Sequence, residues 1–240
     1  MEHCRKILGV VRVWRRRVLR AVGAVGMGVG ALTGVSWAAP LTPLYYDMPN
    51  GDVGSFTYWD DGYTCAGIVA CSPSANNTSS GAPLFGGKGD LTDGVIATQN
   101  WFNTPGLYVG WASFSPPIHF VFPSAASISS VRLYFDDANG SGRVSLPGSV
   151  TFTSGVNTLI VPVADPVGSA PVDFAFDVSS LGATGSIDVR LNPRDRWVFM
   201  SEATFDEQTP TPVPEPASFT FLVLGGLAWA GMRKTFRTTV

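Results

Sequence analysis

Between residues 40 and 208 the apolar positions fall in short alternating runs. Ile118, Phe120 and Phe122 alternate with His119 and Val121. Val131, Leu133 and Phe135 alternate with Arg132 and Tyr134. Phe174 and Phe176 keep the same spacing, as do Ile187, Val189 and Leu191, and Trp197, Phe199 and Phe205 fall in a final run. A period of two puts successive side chains on opposite faces of a strand, and no stretch here carries the 3.6-residue period of an amphipathic helix. Turn chemistry separates the runs at Asp137-Ala138-Asn139-Gly140, Leu146-Pro147-Gly148, Asp165-Pro166 and Asn192-Pro193. Short strands punctuated in this way predict an all-β fold, an antiparallel β-sandwich or jelly roll, over residues 39–208.

The two ends break that pattern. Arg5, Lys6, Arg12, Arg15, Arg16, Arg17 and Arg20 precede a Gly/Ala-rich apolar run from Val22 to Val35, and then Ser36-Trp37-Ala38-Ala39-Pro40. A basic segment, an apolar segment and small residues at a cut site make a secretory signal. Cleavage is expected after Ala38, because a cut after Ala39 would put bulky Trp37 at the −3 position and Pro40 beside the scissile bond. Residues 1–38 are therefore read as a signal peptide. Arg15-Arg16-Arg17-Val18-Leu19 also fits a twin-arginine signal, so the choice of export machinery stays open. Thr209–Pro216 is a Pro-rich, extended linker. Beyond it, residues 217–240 hold a short apolar run from Phe219 to Met232, read as a hydrophobic helix, and a basic end at Arg233, Lys234 and Arg237.

Pro214-Glu215-Pro216, the apolar run and the cationic stop, in that order, resemble the PEP-CTERM sorting signal of exopolysaccharide-producing Gram-negative bacteria. The resemblance implies transient anchoring in the inner membrane and recognition at Pro214, Glu215 and Pro216 by an exosortase, after export and signal-peptidase cleavage. It further implies delivery to the cell surface or extracellular matrix. The apolar run is shorter than the roughly 20 residues of an ordinary span, which suits a temporary anchor. Here the basic cluster is diluted by Thr235 and Phe236.

With both ends set aside, residues 39–214 keep six basic and sixteen acidic residues, a net charge near −10. Such a surface repels phosphate backbones and argues against a nucleic-acid partner. Cys65 and Cys71 remain as a close pair after Cys4 leaves with the signal. In an oxidising compartment they are expected to form a small-loop disulfide.

Leu91-Thr92-Asp93-Gly94, Trp101 and Trp111, the strand Ile118–Phe122, Ser130–Phe135 and Trp197–Phe205 follow one another in an order that resembles the galactose-binding-like jelly roll of discoidin and coagulation-factor C-type domains. The resemblance spans about residues 84–207. It lacks that family's frequent disulfide between the two ends of the domain. It implies a structural calcium near the first loop and last strand, at Asp90, Thr92, Asp93 and Glu202; no cofactor is otherwise required. Hard oxygen donors of this kind suit calcium, while a plain turn at Asp93-Gly94 and a solvated Glu202 are the alternative.

Aromatic residues in loops can stack on the apolar face of a pyranose, and Trp59, Tyr63 and Trp101 are the ligand-binding candidates, each also a candidate for the core. Chemistry finds little footing. His119 is the one histidine left after signal removal and reads as a structural strand residue. There is no nucleophile motif, zinc-spaced histidine pair or phosphate loop. The expectation is a non-enzymatic, exported, surface or matrix protein whose jelly roll binds exopolysaccharide glycans. The alternative is a purely structural matrix or envelope component with no small ligand, and a secreted hydrolase comes last.

Overall fold

The computed structural model describes residues 39–52, 58–67, 71, 79–112 and 116–208. The expected signal peptide with Ala38, the motif Pro214-Glu215-Pro216 and the C-terminal apolar segment lie outside the described residues.

The chain forms β1 (Ala39–Leu41), β2 (Tyr45–Pro49), β3 (Thr64–Cys65), β4 (Pro83–Lys88), β5 (Val109–Ala112) and β6 (Pro117–Phe135), followed by β7 (Pro147–Ser154), β8 (Asn157–Pro162), β9 (Val172–Asp177), β10 (Ala183–Pro193) and β11 (Trp197–Glu207). All ladders between these strands are antiparallel. One layer runs β3-β4-β2-β6-β10-β7-β8. In the other, β6 pairs with β9 and β11, and β11 in turn pairs with β5 and β1. This is the expected all-β sandwich.

The alternating runs are inward faces. Ile118, Phe120, Val131, Leu133, Phe135, Ile187, Val189 and Leu191 are all buried. Rings meet across the layers, Phe120 on Phe205 at 4.8 Å and Phe152 on Phe176 at 5.2 Å between centroids. Burying a side chain of this size contributes roughly 1.5–3 kcal/mol. Together these residues make one core shared by both layers.

Two expectations are corrected in detail. The runs at 118–122 and 131–135 are one strand, β6, which serves both layers: its first half pairs with β2 and β10, its second with β9 and β11. The register against β10 shifts between Thr184 and Ser186, opposite the exposed Pro123-Ser124-Ala125 stretch. Proline has no N–H for the ladder, so the irregularity falls where the strand changes partners. Leu146-Pro147-Gly148 and Asn192-Pro193 are likewise strand ends, since β7 begins at Pro147 and β10 ends at Pro193.

Strand β11 departs from alternation. Val198 through Ala203 are all buried. Its register against β6 shifts between Met200 and Glu202, an inserted residue at Ser201. Val198, Met200, Ala203 and Phe205 therefore face the main core. On the opposite side the loop after β4 covers the strand: Ala203 N–H donates to Leu91 O at 2.9 Å, Gly94 N–H to Glu202 Oε2 at 2.9 Å, and Ala97 N–H to Ser201 Oγ at 3.4 Å.

Candidate functional site

Two regions gather chemistry, and the loop after β4 helps build both. The first is an acidic cradle. Asp60 is fully buried: its Oδ1 accepts the Asp90 N–H at 3.0 Å, its Oδ2 accepts the Tyr46 hydroxyl, and its own N–H donates to Asn50 Oδ1 at 2.8 Å. Tyr46 Oη also accepts the Leu91 N–H at 3.4 Å. A side chain at position 89 would put its Cβ 2.1 Å from Asp60 Oδ1, so the close approach requires Gly89. These contacts set the path of the loop, and the Ala203 ladder bond fastens it to β11.

The loop then carries Asp90, Thr92 and Asp93 past Glu202. Asp90 and Glu202 are 8% and 3% exposed. Burial pushes Asp60 and Asp90 above the usual carboxylate range, with neighbouring aspartates adding to the effect. Glu202 is pushed up to about 7, mainly by burial; the Gly94 N–H opposes the shift and Asp93 adds to it. Asp90 Oδ2 and Thr92 Oγ1 are buried and have no hydrogen-bond partner among the described residues. Buried polar atoms are nearly always satisfied, so this pair is an exception within the cradle.

Of the four residues expected to hold calcium, three are buried or half-buried here. Asp93 is exposed, and its Oδ1 accepts the Val95 N–H at 2.7 Å in a turn. The solvated Glu202 of the alternative reading is corrected: the bulge at Ser201 turns it beneath the loop. Among the described residues no set of three His, Cys, Asp or Glu side chains is arranged as a metal cage. A cation in the cradle would thus draw on hydroxyl and carbonyl oxygens as well. That donor set suits calcium, which takes six to eight oxygens in flexible geometry.

The second region is an aromatic cluster. Tyr58, Tyr108 and Phe199 are buried together with Ala97, Ala138 and Val144, and Trp101, Leu107 and Trp197 pack against them. Trp101 meets Tyr58, Phe102 and Phe199 edge-on, each at 5.8 Å. Its backbone N–H donates to Asp136 Oδ2 at 2.7 Å, and Asn100 Nδ2 donates to Asp136 Oδ1 at 2.6 Å. Asp136 is fully buried, which raises its pKa against those two hydrogen bonds. Gly142 sits against the Trp101 ring at φ +64°, where an added Cβ would lie 2.8 Å from Cζ2. The next residue, Arg143, pairs with Asp195 at 2.9 Å. Trp101 is thus held half-exposed in one orientation, and Phe102 beside it is 56% exposed.

The expected ligand-binding aromatics separate. Trp101 stands in the cluster just described, and Trp59 is half-buried next to Asp60. Tyr63 is corrected to a core residue: it is 1% exposed, donates to Tyr46 O at 2.5 Å and accepts the Gly87 N–H at 2.8 Å. Cys65 and Cys71 are joined, with Cα atoms 5.6 Å apart. Asp136 and Asn50 were invisible as site residues, because their burial depends on segments distant in sequence.

No family model matches the chain, and no curated protein matches it. Solved structures do resemble it. A fucolectin from striped bass (Morone saxatilis) serum is 9% identical, covering 72% of this chain and 50% of its own, with a TM-score of 0.39. The lectin domain of lectinolysin complexed with Lewis B antigen is 12% identical, covering 51% and 83%, with a TM-score of 0.35. The family 32 CBM of C. perfringens NanJ in complex with galactose is 11% identical, covering 49% and 82%, with a TM-score of 0.33.

Proposed function

We propose that this chain is an exported glycan-binding protein, sorted to the cell surface by its C-terminal signal, with Trp101 and Phe102 as its sugar platform and no catalytic activity. The observation that carries the reading is the fixed, half-exposed Trp101 beside the exposed Phe102. Adjacent aromatic rings at the surface offer an apolar contact face, and a ring fixed before binding loses little entropy on binding. The pyranose C–H face stacks on the rings, and neighbouring polar groups such as the Arg143–Asp195 pair select hydroxyls.

The cradle holds a structural calcium in this reading. Asp90 Oδ2 and Thr92 Oγ1, both lacking partners, and the buried Glu202 would supply donors. The ion's contribution is charge compensation and a tie between the loop and β11. Trp101 belongs to the same stretch of chain, so a fixed loop favours a fixed platform.

The test is retention of the exported protein on the producing bacterium's exopolysaccharide. Trp101→Ala and Phe102→Ala should abolish it, and retention by both variants would overturn the platform. Sorting is tested separately by Glu215→Ala in the native host: unchanged processing and surface delivery would refute the role of Pro214-Glu215-Pro216.

A second reading, a structural matrix component, draws on β8. Among the described residues this strand pairs only with β7, and it exposes Ile160 at 64% next to the turn residue Val156 at 98%. An open edge with apolar side chains is a template for lateral pairing. Concentration-dependent sedimentation that Ile160→Lys abolishes would favour it.

A further inference from the structure

The outward face of the larger layer carries a second constellation, distinct from the cradle and the aromatic cluster. Asp47 on β2 and Asp188 on β10 both stand in register with His119 on β6. The flanking Tyr46, Met48, Ile118, Phe120, Ile187 and Val189 are buried, so the three polar residues point away from the core. Residues directly opposite on neighbouring strands have Cβ atoms about 4.5–5.5 Å apart, which makes Asp47-His119-Asp188 one row across three strands. His119 was expected to be structural. Alternation with Ile118 and Phe120 already placed it on the other face, and its side chain is 40% exposed.

His119 Nδ1 lies 2.5 Å from Asp188 Oδ1. A carboxylate oxygen accepts, so Nδ1 donates to Asp188, and Nε2 is the ring nitrogen left to face a ligand. Asp47 uses Oδ1 to accept the Gly86 N–H at 2.8 Å. The two carboxylates therefore present acceptors, with the imidazole between them. Around it lies a groove of about 450 Å³ whose other walls are mainly apolar, including Pro49, Pro83 and Phe85. Phe85 is 42% exposed.

We infer that this groove is a second carbohydrate subsite, which takes a hexopyranose unit of a neutral glycan. A pyranose offers what the groove lacks: hydroxyls that donate to Asp47 and Asp188 and can meet Nε2 as donor or acceptor, and a C–H face for Phe85 and the prolines. The volume falls within the range of small-molecule sites. The inference rests on the reading of the chain as a glycan-binding protein and adds a site to it. Two subsites on one chain raise the avidity for a polymer without tightening either one.

The experiment is native electrophoresis of the full exported protein through gels cast with the producing bacterium's neutral exopolysaccharide. Phe85→Ala and His119→Ala should each weaken retardation about tenfold, the loss of one good contact, in the protein that keeps Trp101 and Phe102. His119→Gln, which keeps a polar side chain of similar length, serves where the alanine variant melts early. Retardation that survives the Phe85 and His119 substitutions but falls with Phe102→Ala overturns the groove and leaves the proposed function standing. A protein that no neutral polysaccharide retards overturns both. Retardation by chitosan alone overturns the hydroxyl assignment, because the acceptors would then be selecting an ammonium group.

Discussion

Calcium should raise the melting temperature of the domain, and the cradle sets both the size and the pH dependence of the effect. Without a cation, Asp90 Oδ2 and Thr92 Oγ1 are buried without partners, each costing about 1–3 kcal/mol. An ion that binds only the folded chain adds RT ln(1 + [L]/Kd), about 2.7 kcal/mol at a hundredfold excess over Kd. For a domain of roughly 170 residues that corresponds to a shift of about 5–10 °C. The pH dependence follows from the carboxylates. Folding raises Asp90 and Glu202 above their usual ranges, Glu202 to about 7. A raised pKa means that the folded state binds protons more tightly than the unfolded chain. Stability of the cation-free protein is therefore fully present below the usual carboxylate range and is lost as pH rises through 7. Calcium requires the ionised forms, so its increment should grow between pH 5 and pH 8. Thermal melts with calcium and with chelator at both pH values measure this. Asp90→Asn should leave the cation-free melting point at pH 8 unchanged or higher while removing the calcium increment, and Glu202→Gln should do the same. A melt at pH 8 that ignores calcium, or an increment that survives both substitutions, would refute the cradle as a cation site.

Gly110→Ala would bring a Cβ within 1.9 Å of Phe199 Cε1 in the buried aromatic cluster. We expect a loss of about 1–3 kcal/mol in urea unfolding, and a neutral result would mean the cluster is loosely packed. Tyr46→Phe removes the hydroxyl donated to the buried Asp60. It should cost about 2–3 kcal/mol in the same assay, since a hydrogen bond to a charged group is lost at full burial. Thiol labelling of the denatured, unreduced protein made in an oxidising compartment should find Cys65 and Cys71 blocked. Replacing both with Ser should cost about 2 kcal/mol for so short a loop, and two reactive thiols per chain would refute the pairing.

The sequence by itself determined the strand character of this protein and the location of its inward faces. Alternation is local: the period of two at Ile118–Phe122, Val131–Phe135 and Ile187–Leu191 follows from strand geometry wherever the strands end up. The Cys65–Cys71 pair was legible for the same reason, because a six-residue separation keeps the two sulfurs near each other in most conformations. The expected end signals rest on linear order alone. Only the tertiary structure decided what the polar residues do. Glu202 could be read as a cation ligand or as a solvated charge until a bulge at Ser201 turned it under a loop 108 residues earlier in sequence. Tyr63 looked like a loop aromatic until its hydroxyl met Tyr46 O and the Gly87 N–H. Asp47, His119 and Asp188 are spread over most of the domain, and strand register alone makes them neighbours. Register here is a long-range property: it is selected by the burial of whole faces at once, and no short window of sequence contains Asp47, His119 and Asp188 together.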